Sequence, residues 1–172
     1  MNLGQWIRDV ADFPKPGIGF KDLTPLLGDG AAFAESITQL VRPFRDLQVS
    51  CVCGIEARGF IFGAAAAIAL GSGFVPLRKP GKLPAQSIGT DYALEYGSDR
   101  LEMHADAVSP GQRVLLVDDV LATGGTLEAA TRLLSMVGAE IVGAALLVEI
   151  VALGGRARWR ESAPLHSVIV FD

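Results

Sequence analysis

Short apolar runs alternate with helical stretches along the chain, and this pattern predicts a layered α/β domain. The runs VSCVCGIEA, VLLVDDV and AEIVGAALLVEI are apolar at successive positions, as in strands that are buried on both faces. Helical segments at residues 59–70 and 126–137 follow the first two runs. This order is typical of a doubly wound, mainly parallel sheet that is covered by helices on both sides.

Further segments extend the predicted order of elements, among them the strand GFVPLRK after the first helical segment. A short helix is predicted over about residues 3–10, and a longer one over about residues 31–42, ending near Pro43. The stretch from Pro14 to Gly19 holds two prolines and two glycines, which exclude regular structure there. TDYALEYGSDRLEMHADAV alternates like exposed strands and is predicted to form a hairpin or a hood-like excursion, and PLHSVIVFD is predicted to be a closing strand.

Length and composition favour one domain over residues 1–172, with an aliphatic core. Half of the residues are hydrophobic and the net charge is −4, which argues against broad nucleic-acid or anionic membrane surfaces. Residues 59–77 carry no charge, but a GSG break follows Leu70. The helix before it is about 16 Å long, too short for roughly 30 Å of hydrocarbon. We therefore expect no membrane span.

The sequence also predicts a reducing, cytoplasmic location. Cys51 and Cys53 lie one residue apart, where a strand would point both to one face, a poor geometry for a disulfide. The N-terminus lacks the apolar segment of a secretory signal.

Candidate chemistry lies in VLLVDDVLATGGT. Asp118 and Asp119 end a predicted strand, where ligands of doubly wound sheets bind. Residues 122–126 are small, so their backbone N–H groups could close around a phosphate. The stretch lacks the lysine and spacing of a Walker loop. In the simpler alternative, Asp119 merely ends a strand and Thr126 caps a helix.

Residues 122–126 are called the phosphate cradle below. Together with the paired carboxylates, this loop suggests a sugar phosphate as the ligand. Carboxylates accept hydrogen bonds from vicinal hydroxyls and bind Mg²⁺, which also prefers phosphate oxygens. A ribose 5-phosphate group fits this description. Any Mg²⁺ is expected to be held through substrate, with Asp118 and Asp119 as candidate ligands.

The same stretch resembles the phosphoribosyl pyrophosphate motif of type I phosphoribosyltransferases. Other pieces resemble the adenine phosphoribosyltransferases of that family, in the family's order over roughly residues 12–150: DFPKPGIGFKDLTPLL, GIEARGFIFG, PLRKPGKLP, YALEYG and LVEI. The resemblance implies the type I phosphoribosyltransferase fold, with a small hood from residues 1–30 and a flexible lid hairpin, the lid loop covering residues 78–97. It also implies a homodimer.

The implied reaction moves a 5-phosphoribosyl group from phosphoribosyl pyrophosphate to N9 of adenine, giving AMP and pyrophosphate with Mg²⁺. Arg58 and Glu95 are the implied catalytic residues, Arg58 at the pyrophosphate beside a cis Glu56–Ala57 peptide and Glu95 as an acid-base group near the purine. The implied phosphoribosyl pyrophosphate ligands are Arg58, Lys79, Lys82, Tyr96, Asp118, Asp119, Ala122, Thr123, Gly124, Gly125 and Thr126.

The resemblance further implies that Phe20 and Ile150 cover the two faces of adenine, while Gly19 and Lys21 read its edge. Two positions depart from the family pattern, since a branched residue is more common at Gly19 and arginine at Lys21. Two alternatives therefore stay open. One is a phosphoribosyltransferase for another purine. The other is a DNA-binding sensor of phosphoribosyl pyrophosphate, which the acidic charge disfavours.

Overall fold

The computed structural model describes residues 1–93 and 97–172. The strands of this part of the chain are Arg8–Val10 (β1), Phe20–Asp22 (β2), Cys51–Ile55 (β3), Gly73–Leu77 (β4), Ser87–Ala93 (β5), Ser98–His104 (β6), Arg113–Leu121 (β7), Glu140–Ile150 (β8) and Leu165–Phe171 (β9). The α-helices are Thr24–Gly28 (α1), Gly30–Val41 (α2), Gly59–Leu70 (α3) and Gly125–Met136 (α4). Short 3₁₀ turns lie at Leu3–Trp6, Arg42–Phe44, Val151–Leu153 and Gly155–Arg158.

Five parallel strands form the central sheet, in the order β4-β3-β7-β8-β9. From β3 the chain runs through α3 to β4 on one side, and from β7 it runs through α4 to β8 on the other. Strand order therefore reverses between β3 and β7, which makes the carboxyl ends of these two strands the expected ligand site. The predicted doubly wound α/β fold is confirmed.

Side chains of the sheet alternate between two hydrophobic cores. In β7, Leu115 and Val117 belong to the core that also contains α2 and α3, whereas Val114 and Leu116 belong to the core that contains α4. Because both faces are covered, a central strand has no solvent side, which explains its unbroken apolar run. Cys51 and Cys53 share the face toward α4 and are free and buried, as predicted.

Small residues let α3 lie close to the sheet. A Cβ at Gly54 would come within 2.6 Å of the Phe74 ring, and one at Gly63 within 2.9 Å of the same ring. The helix ends at Gly71, whose φ of +65° suits glycine.

Among the helices of the described residues, none combines the length and apolarity needed to cross a bilayer.

The N-terminal segment differs from the prediction. A helix over residues 3–10 was expected, but only Leu3–Trp6 forms a 3₁₀ turn, and β1 follows it. β1 pairs in antiparallel register with β2, with Val10 opposite Phe20. The pairing provides hydrogen bonds for backbone groups of both strands, which lie on either side of an irregular loop. This non-local pairing outweighs the local helical pattern of residues 3–10. The stretch from Pro14 to Gly19 is irregular, as predicted.

The predicted hairpin is present. β5 and β6 pair in antiparallel register, from Ser87 opposite His104 to Ala93 opposite Ser98. A bridge between Arg78 and Glu102 connects β6 to the chain directly after β4. The hairpin packs over the α4 side of the sheet, where Tyr92 is buried.

Candidate functional site

A cleft of about 460 Å³ opens at the point where strand order reverses. The carboxyl ends of β3 and β7 form its floor, and the N-terminal segment and the chain after β8 form its walls. It is lined by Ile18, Gly19, Phe20, Lys21, Glu56, Ala57, Arg58, Lys79, Asp118, Asp119, Val120, Ala122, Thr126, Ile150 and Leu153. The fold thus brings ten of the candidate residues together, from five separate parts of the sequence.

Asp118 and Asp119 lie near the end of β7, at the floor of the cleft. The backbone N–H of Asp119 donates to Asp118 Oδ1 at 2.8 Å, and Asp119 is 7% exposed. A Cβ at Gly59 would lie 2.6 Å from Asp118 Oδ1, so the start of α3 presses against this carboxylate. Burial raises the pKa of Asp118 well above its ordinary value, and the charge of Asp119 raises it further. The protein therefore holds two acids in close, unfavourable proximity.

Arg58 partly offsets this negative charge. Its Nε lies 2.6 Å from Asp119 Oδ2, while that oxygen has no aligned hydrogen bond from any described residue. The guanidinium also lies over the Phe20 ring, 4.9 Å from the centroid. The Glu56–Ala57 peptide just before it is cis, as the resemblance implies. Arg58 therefore links the carboxylate floor to the wall that carries Phe20.

The loop after β7 forms a second, smaller cavity of about 70 Å³, which shares Asp118, Ala122 and Thr126 with the lining of the cleft. Its lining includes the five predicted cradle residues: Ala122, Thr123, Gly124, Gly125 and Thr126. Gly124 has a φ of +80°, which aims the following backbone toward the start of α4. The first N–H groups of a helix are free to bind an anion, so the cavity suits a phosphate group.

The predicted base-binding residues lie at the opposite wall. Gly19, Phe20, Lys21 and Ile150 all line the cleft. The Phe20 and Phe13 rings pack edge to face, with centroids 5.0 Å apart. The Lys21 ammonium pairs with Asp9 and lies 3.9 Å from the centroid of the Phe171 ring. Lys21 is thus held by the N-terminal strand and the C-terminal strand, an arrangement that the sequence did not indicate.

The lid segment contributes Lys79 to the cleft lining, and the described lining does not include Lys82. The Lys79 ammonium donates to the Tyr92 hydroxyl at 2.6 Å and pairs with Asp99 in the hairpin. Burial alone would lower the pKa of Lys79, but these two hydrogen bonds raise it above its usual value. Glu95 and Tyr96, also predicted, lie outside the described residues.

Glu56 is a cleft residue whose side chain had no predicted role. Its carboxylate accepts from the Lys79 N–H at 2.9 Å and from Arg78 Nε at 3.1 Å, which anchors the start of the lid segment to the end of β3. Burial alone would raise the pKa of Glu56, but these contacts lower it. Glu56 lies inside the motif GIEARGFIFG, which could have indicated a role for its side chain. Leu153 also lines the cleft, but no motif in its part of the sequence indicates a site.

The donor set fits a metal ion that is held mainly by substrate. Among the described residues, no three His, Cys, Asp or Glu side chains converge to hold a metal ion. Two adjacent carboxylates, one with a buried oxygen that lacks an aligned hydrogen bond, suit Mg²⁺ whose other ligands are phosphate and sugar oxygens.

Comparison with known proteins agrees with this geometry. Residues 28–164 match the family model for the phosphoribosyl transferase domain. An adenine phosphoribosyltransferase of Xanthomonas campestris pv. campestris is 58% identical over 165 residues, covering 96% of this chain and 89% of that protein.

Solved structures show the same fold. The adenine phosphoribosyltransferase of Rhodothermus marinus superposes with a TM-score of 0.94 at 51% identity, covering 98% of this chain and 96% of that one. The Saccharomyces cerevisiae enzyme, solved in complex with adenine and an imino-altritol bisphosphate, gives 0.90 at 35% identity over 96% of each chain. The chain therefore belongs to the type I phosphoribosyltransferase family, among its adenine phosphoribosyltransferase members.

Proposed function

We propose that the chain transfers the 5-phosphoribosyl group of phosphoribosyl pyrophosphate to N9 of adenine, giving AMP and pyrophosphate in purine salvage. The observation that carries the proposal is that the phosphate cradle after β7, the paired carboxylates and the Phe20 wall lie in two adjoining cavities with shared lining residues. These three parts match the phosphate, the ribose and the base of the product. The names of the relatives support the same reaction.

In this proposal the cradle fixes the substrate by its 5′-phosphate. The backbone of residues 122–126 binds the phosphate at the start of α4, and Asp118 and Asp119 accept hydrogen bonds from the ribose hydroxyls, directly or through water. The anomeric carbon then lies over the floor of the cleft, toward Phe20 and Ile150. Holding both reactants in one orientation removes much of the entropic barrier.

Bond exchange occurs at the anomeric carbon. The N9 electron pair of adenine forms the new bond to C1′, while the bond from C1′ to the pyrophosphate oxygen breaks and its electron pair departs with pyrophosphate. The imidazole proton passes to Glu95, which lies outside the described residues. Arg58, Lys79, Lys82 and Tyr96 contact the leaving pyrophosphate, and the cations stabilise the charge that develops there.

Mg²⁺ is the proposed cofactor. When bound, it supplies charge neutralisation for the pyrophosphate oxygens. Asp118 and Asp119 are the protein groups that would hold it, alongside oxygens of the substrate.

The direct test is to measure AMP formation from adenine and phosphoribosyl pyrophosphate, with and without Mg²⁺. We expect saturable, Mg²⁺-dependent AMP and pyrophosphate formation in equal amounts. Lack of AMP formation by the folded protein with Mg²⁺ present would contradict the proposal.

A transferase for other purines is the second candidate, and the surroundings of Gly19 favour testing it. No described atom lies within 4 Å of a Cβ built at Gly19, and its φ does not require glycine. The base wall is therefore open at this point. Assays with adenine, hypoxanthine, guanine and xanthine separate the two candidates, and turnover of a 6-oxopurine as fast as adenine would favour the second.

Replacing Phe20 with Leu is expected to raise KM for adenine by about tenfold, because stacking on an aromatic ring contributes roughly 1–3 kcal/mol per base. KM for phosphoribosyl pyrophosphate should change far less. Steady-state kinetics with each substrate varied in turn measure both values. Phe13→Leu is the matched control, since Phe13 packs against Phe20, does not line the cleft and is 50% exposed. Equal effects of the two changes would argue against stacking at Phe20.

Two parts of the fold have proposed roles in closing the site. The N-terminal segment, residues 1–30, acts as a hood over the base, and residues 78–97 act as a lid that excludes water during bond exchange. The contacts of Lys21 with Asp9 and of Lys79 with Tyr92 support this division, since each connects a cleft residue to one of the two segments.

The exposed face of α3 supports the proposal of a homodimer. Ile61 is 40% exposed and Ile68 is 84% exposed, and both lie with Ala64 on one side of the helix. An apolar helix face of this kind is typical of an interface between subunits. The same helix begins directly after Arg58, so the dimer would support the catalytic cleft. The two free buried cysteines support a cytoplasmic location.

The double change Ile61→Glu and Ile68→Glu is expected to convert a dimer into a monomer of about half the mass. Size-exclusion chromatography with light scattering measures the mass of each form. Val170→Glu is the matched control, because Val170 is 55% exposed and lies on the edge strand β9. An unmodified protein that is already monomeric would refute the proposed interface.

A further inference from the structure

The chain after β8 folds back onto the phosphate cradle. The segment runs from Glu149 to Arg158, through two 3₁₀ turns with Gly154 between them. Its first part lines the cleft with Ile150 and Leu153. Its second part, at Gly155, packs against the loop that follows β7. One short segment thus contacts both the proposed base site and the proposed phosphate site.

The contact at Gly155 is between two backbones. A Cβ at Gly155 would lie 2.2 Å from the carbonyl oxygen of Ala122 and 2.9 Å from the Gly124 nitrogen. In the other direction, a Cβ at Gly124 would lie 2.5 Å from the Gly155 carbonyl oxygen. Neither glycine position leaves room for a side chain. The position of the Gly155 backbone therefore bears directly on the conformation of residues 122–124.

An ion pair between the buried Glu149 and the half-exposed Arg156 holds this segment in place. Glu149 is 4% exposed, and its carboxylate accepts from Arg156 Nε at 2.8 Å and from Arg156 Nη2 at 2.5 Å. Ser167 donates to the same carboxylate at 2.7 Å, and Arg156 Nη1 donates to the Leu165 carbonyl at 3.1 Å. Arg156 thus ties the turn that carries Gly155 to the last residues of β8 and to β9.

The two hydrogen bonds between Arg156 and Glu149 fix the position and orientation of the guanidinium. Two parallel hydrogen bonds from a guanidinium fix distance and orientation together, which a lysine in the same place would not do. The hydrogen bonds from Arg156 lower the pKa of Glu149, so the carboxylate stays charged at neutral pH. Arg156 follows Gly155 directly, so the orientation of the guanidinium is transmitted to the backbone that touches the cradle.

We propose that Glu149 and Arg156 are positioning residues for the reaction: their ion pair holds Gly155 against the loop after β7 and so keeps the 5′-phosphate cradle in its binding conformation. Neither side chain needs to touch substrate. The inference rests on the proposed function, because it assumes that the cradle binds the 5′-phosphate.

The test compares two ligands that use different parts of the cleft. Ribose 5-phosphate carries the 5′-phosphate, whereas pyrophosphate belongs at Arg58 and the lid. For Arg156→Gln and Glu149→Gln, we expect KM for phosphoribosyl pyrophosphate and Ki for ribose 5-phosphate to rise by about 10- to 100-fold, the effect of misplacing a site by an ångström. Ki for pyrophosphate should stay within about twofold, because distant sites behave independently.

Matched controls come from the opposite ends of the same strands. Arg113 pairs with Glu140 where β7 and β8 begin, and both strands end at the cleft. Arg113→Gln and Glu140→Gln each remove an Arg–Glu ion pair at the ends of β7 and β8 that lie away from the cleft. All three constants should stay within about twofold in these controls, the effect expected of an exposed ion pair. Arg156→Lys should fall between Arg156→Gln and the unmodified protein.

The outcomes separate three cases. If Ki for ribose 5-phosphate and Ki for pyrophosphate rise together in Arg156→Gln, the pair is merely structural and the proposal is overturned. If neither changes, it is overturned as well. If the unmodified protein does not bind ribose 5-phosphate, the cradle assignment in the proposed function fails first. The double variant Glu149→Gln with Arg156→Gln, which leaves no unpaired buried charge, is measured when either single variant unfolds, and it should show the same selective loss.

Discussion

Replacing Asp118 with Asn is expected to lower kcat/KM for phosphoribosyl pyrophosphate by about 10²–10³-fold and, at the same time, to raise the melting temperature. Activity falls because the amide loses the charge and part of the acceptor capacity that the ribose hydroxyls and Mg²⁺ require. Stability rises because the carboxylate is partly buried beside Asp119, and the substitution removes their repulsion while keeping the Oδ1 that accepts the Asp119 N–H. For a chain of this size, 1 kcal/mol corresponds to about 2–4 °C.

The pH dependence of the stability follows from the direction in which the pKa of Asp118 is shifted. The folded-state pKa of Asp118 lies above its unfolded value, so its contribution to stability is fully present below the unfolded pKa and is lost as pH rises through the folded one. At neutral pH, well above the unfolded pKa, this carboxyl group therefore costs stability. The gain in melting temperature for Asp118→Asn should be small near pH 4 and should grow toward neutral pH.

Thermal unfolding at several pH values, together with steady-state kinetics, measures both effects. Asp46→Asn is the control, because Asp46 is exposed and lies in the turn after α2. It should leave activity and melting temperature close to those of the unmodified protein. A variant at Asp118 that loses stability and keeps its activity would contradict the assignment of this carboxylate to the site.

Replacing Arg58 with Gln is expected to lower kcat/KM for phosphoribosyl pyrophosphate by about 10²–10³-fold, since a preorganised cation is lost where charge develops. Here the melting temperature should fall. Arg58 Nε lies 2.6 Å from Asp119 Oδ2, and its removal leaves a buried carboxylate without its ion-pair partner and next to Asp118. Product inhibition by pyrophosphate should weaken as well.

A double variant separates the two roles of Arg58. Adding Asp119→Asn to Arg58→Gln removes the uncompensated charge, so the melting temperature should recover while activity stays low. Arg45→Gln controls for loss of an exposed arginine. Recovery of activity together with stability would contradict direct roles in the reaction for both Arg58 and Asp119.

The central layers of the fold could be predicted because their signals are local. The apolar run of β7 follows from burial on both faces, and the small residues of α3 follow from its close packing on Gly54 and Phe74. β1 could not be predicted in this way, since its strand conformation depends on pairing with β2, which lies beyond an irregular loop. Local patterns do not report such contacts.

The same distinction holds for the site. Asp118 and Asp119 lie in a motif whose chemistry can be read from neighbouring residues, and the fold places them where the sheet reverses. The partners of Lys21 could not be foreseen, because Asp9 and Phe171 come from opposite ends of the chain. The roles of Glu95 and Tyr96 stay predictions from the family resemblance.

The contact between Gly124 and Gly155 also limits how this protein can vary. Most close contacts in a core tolerate a larger residue on one side when the other side becomes smaller. Glycine is already the smallest residue, so neither position can compensate for a change at the other. Randomised libraries should therefore recover glycine at both positions independently, whereas a length change between Ile150 and Gly154 should be accepted only when it leaves Gly155 in place.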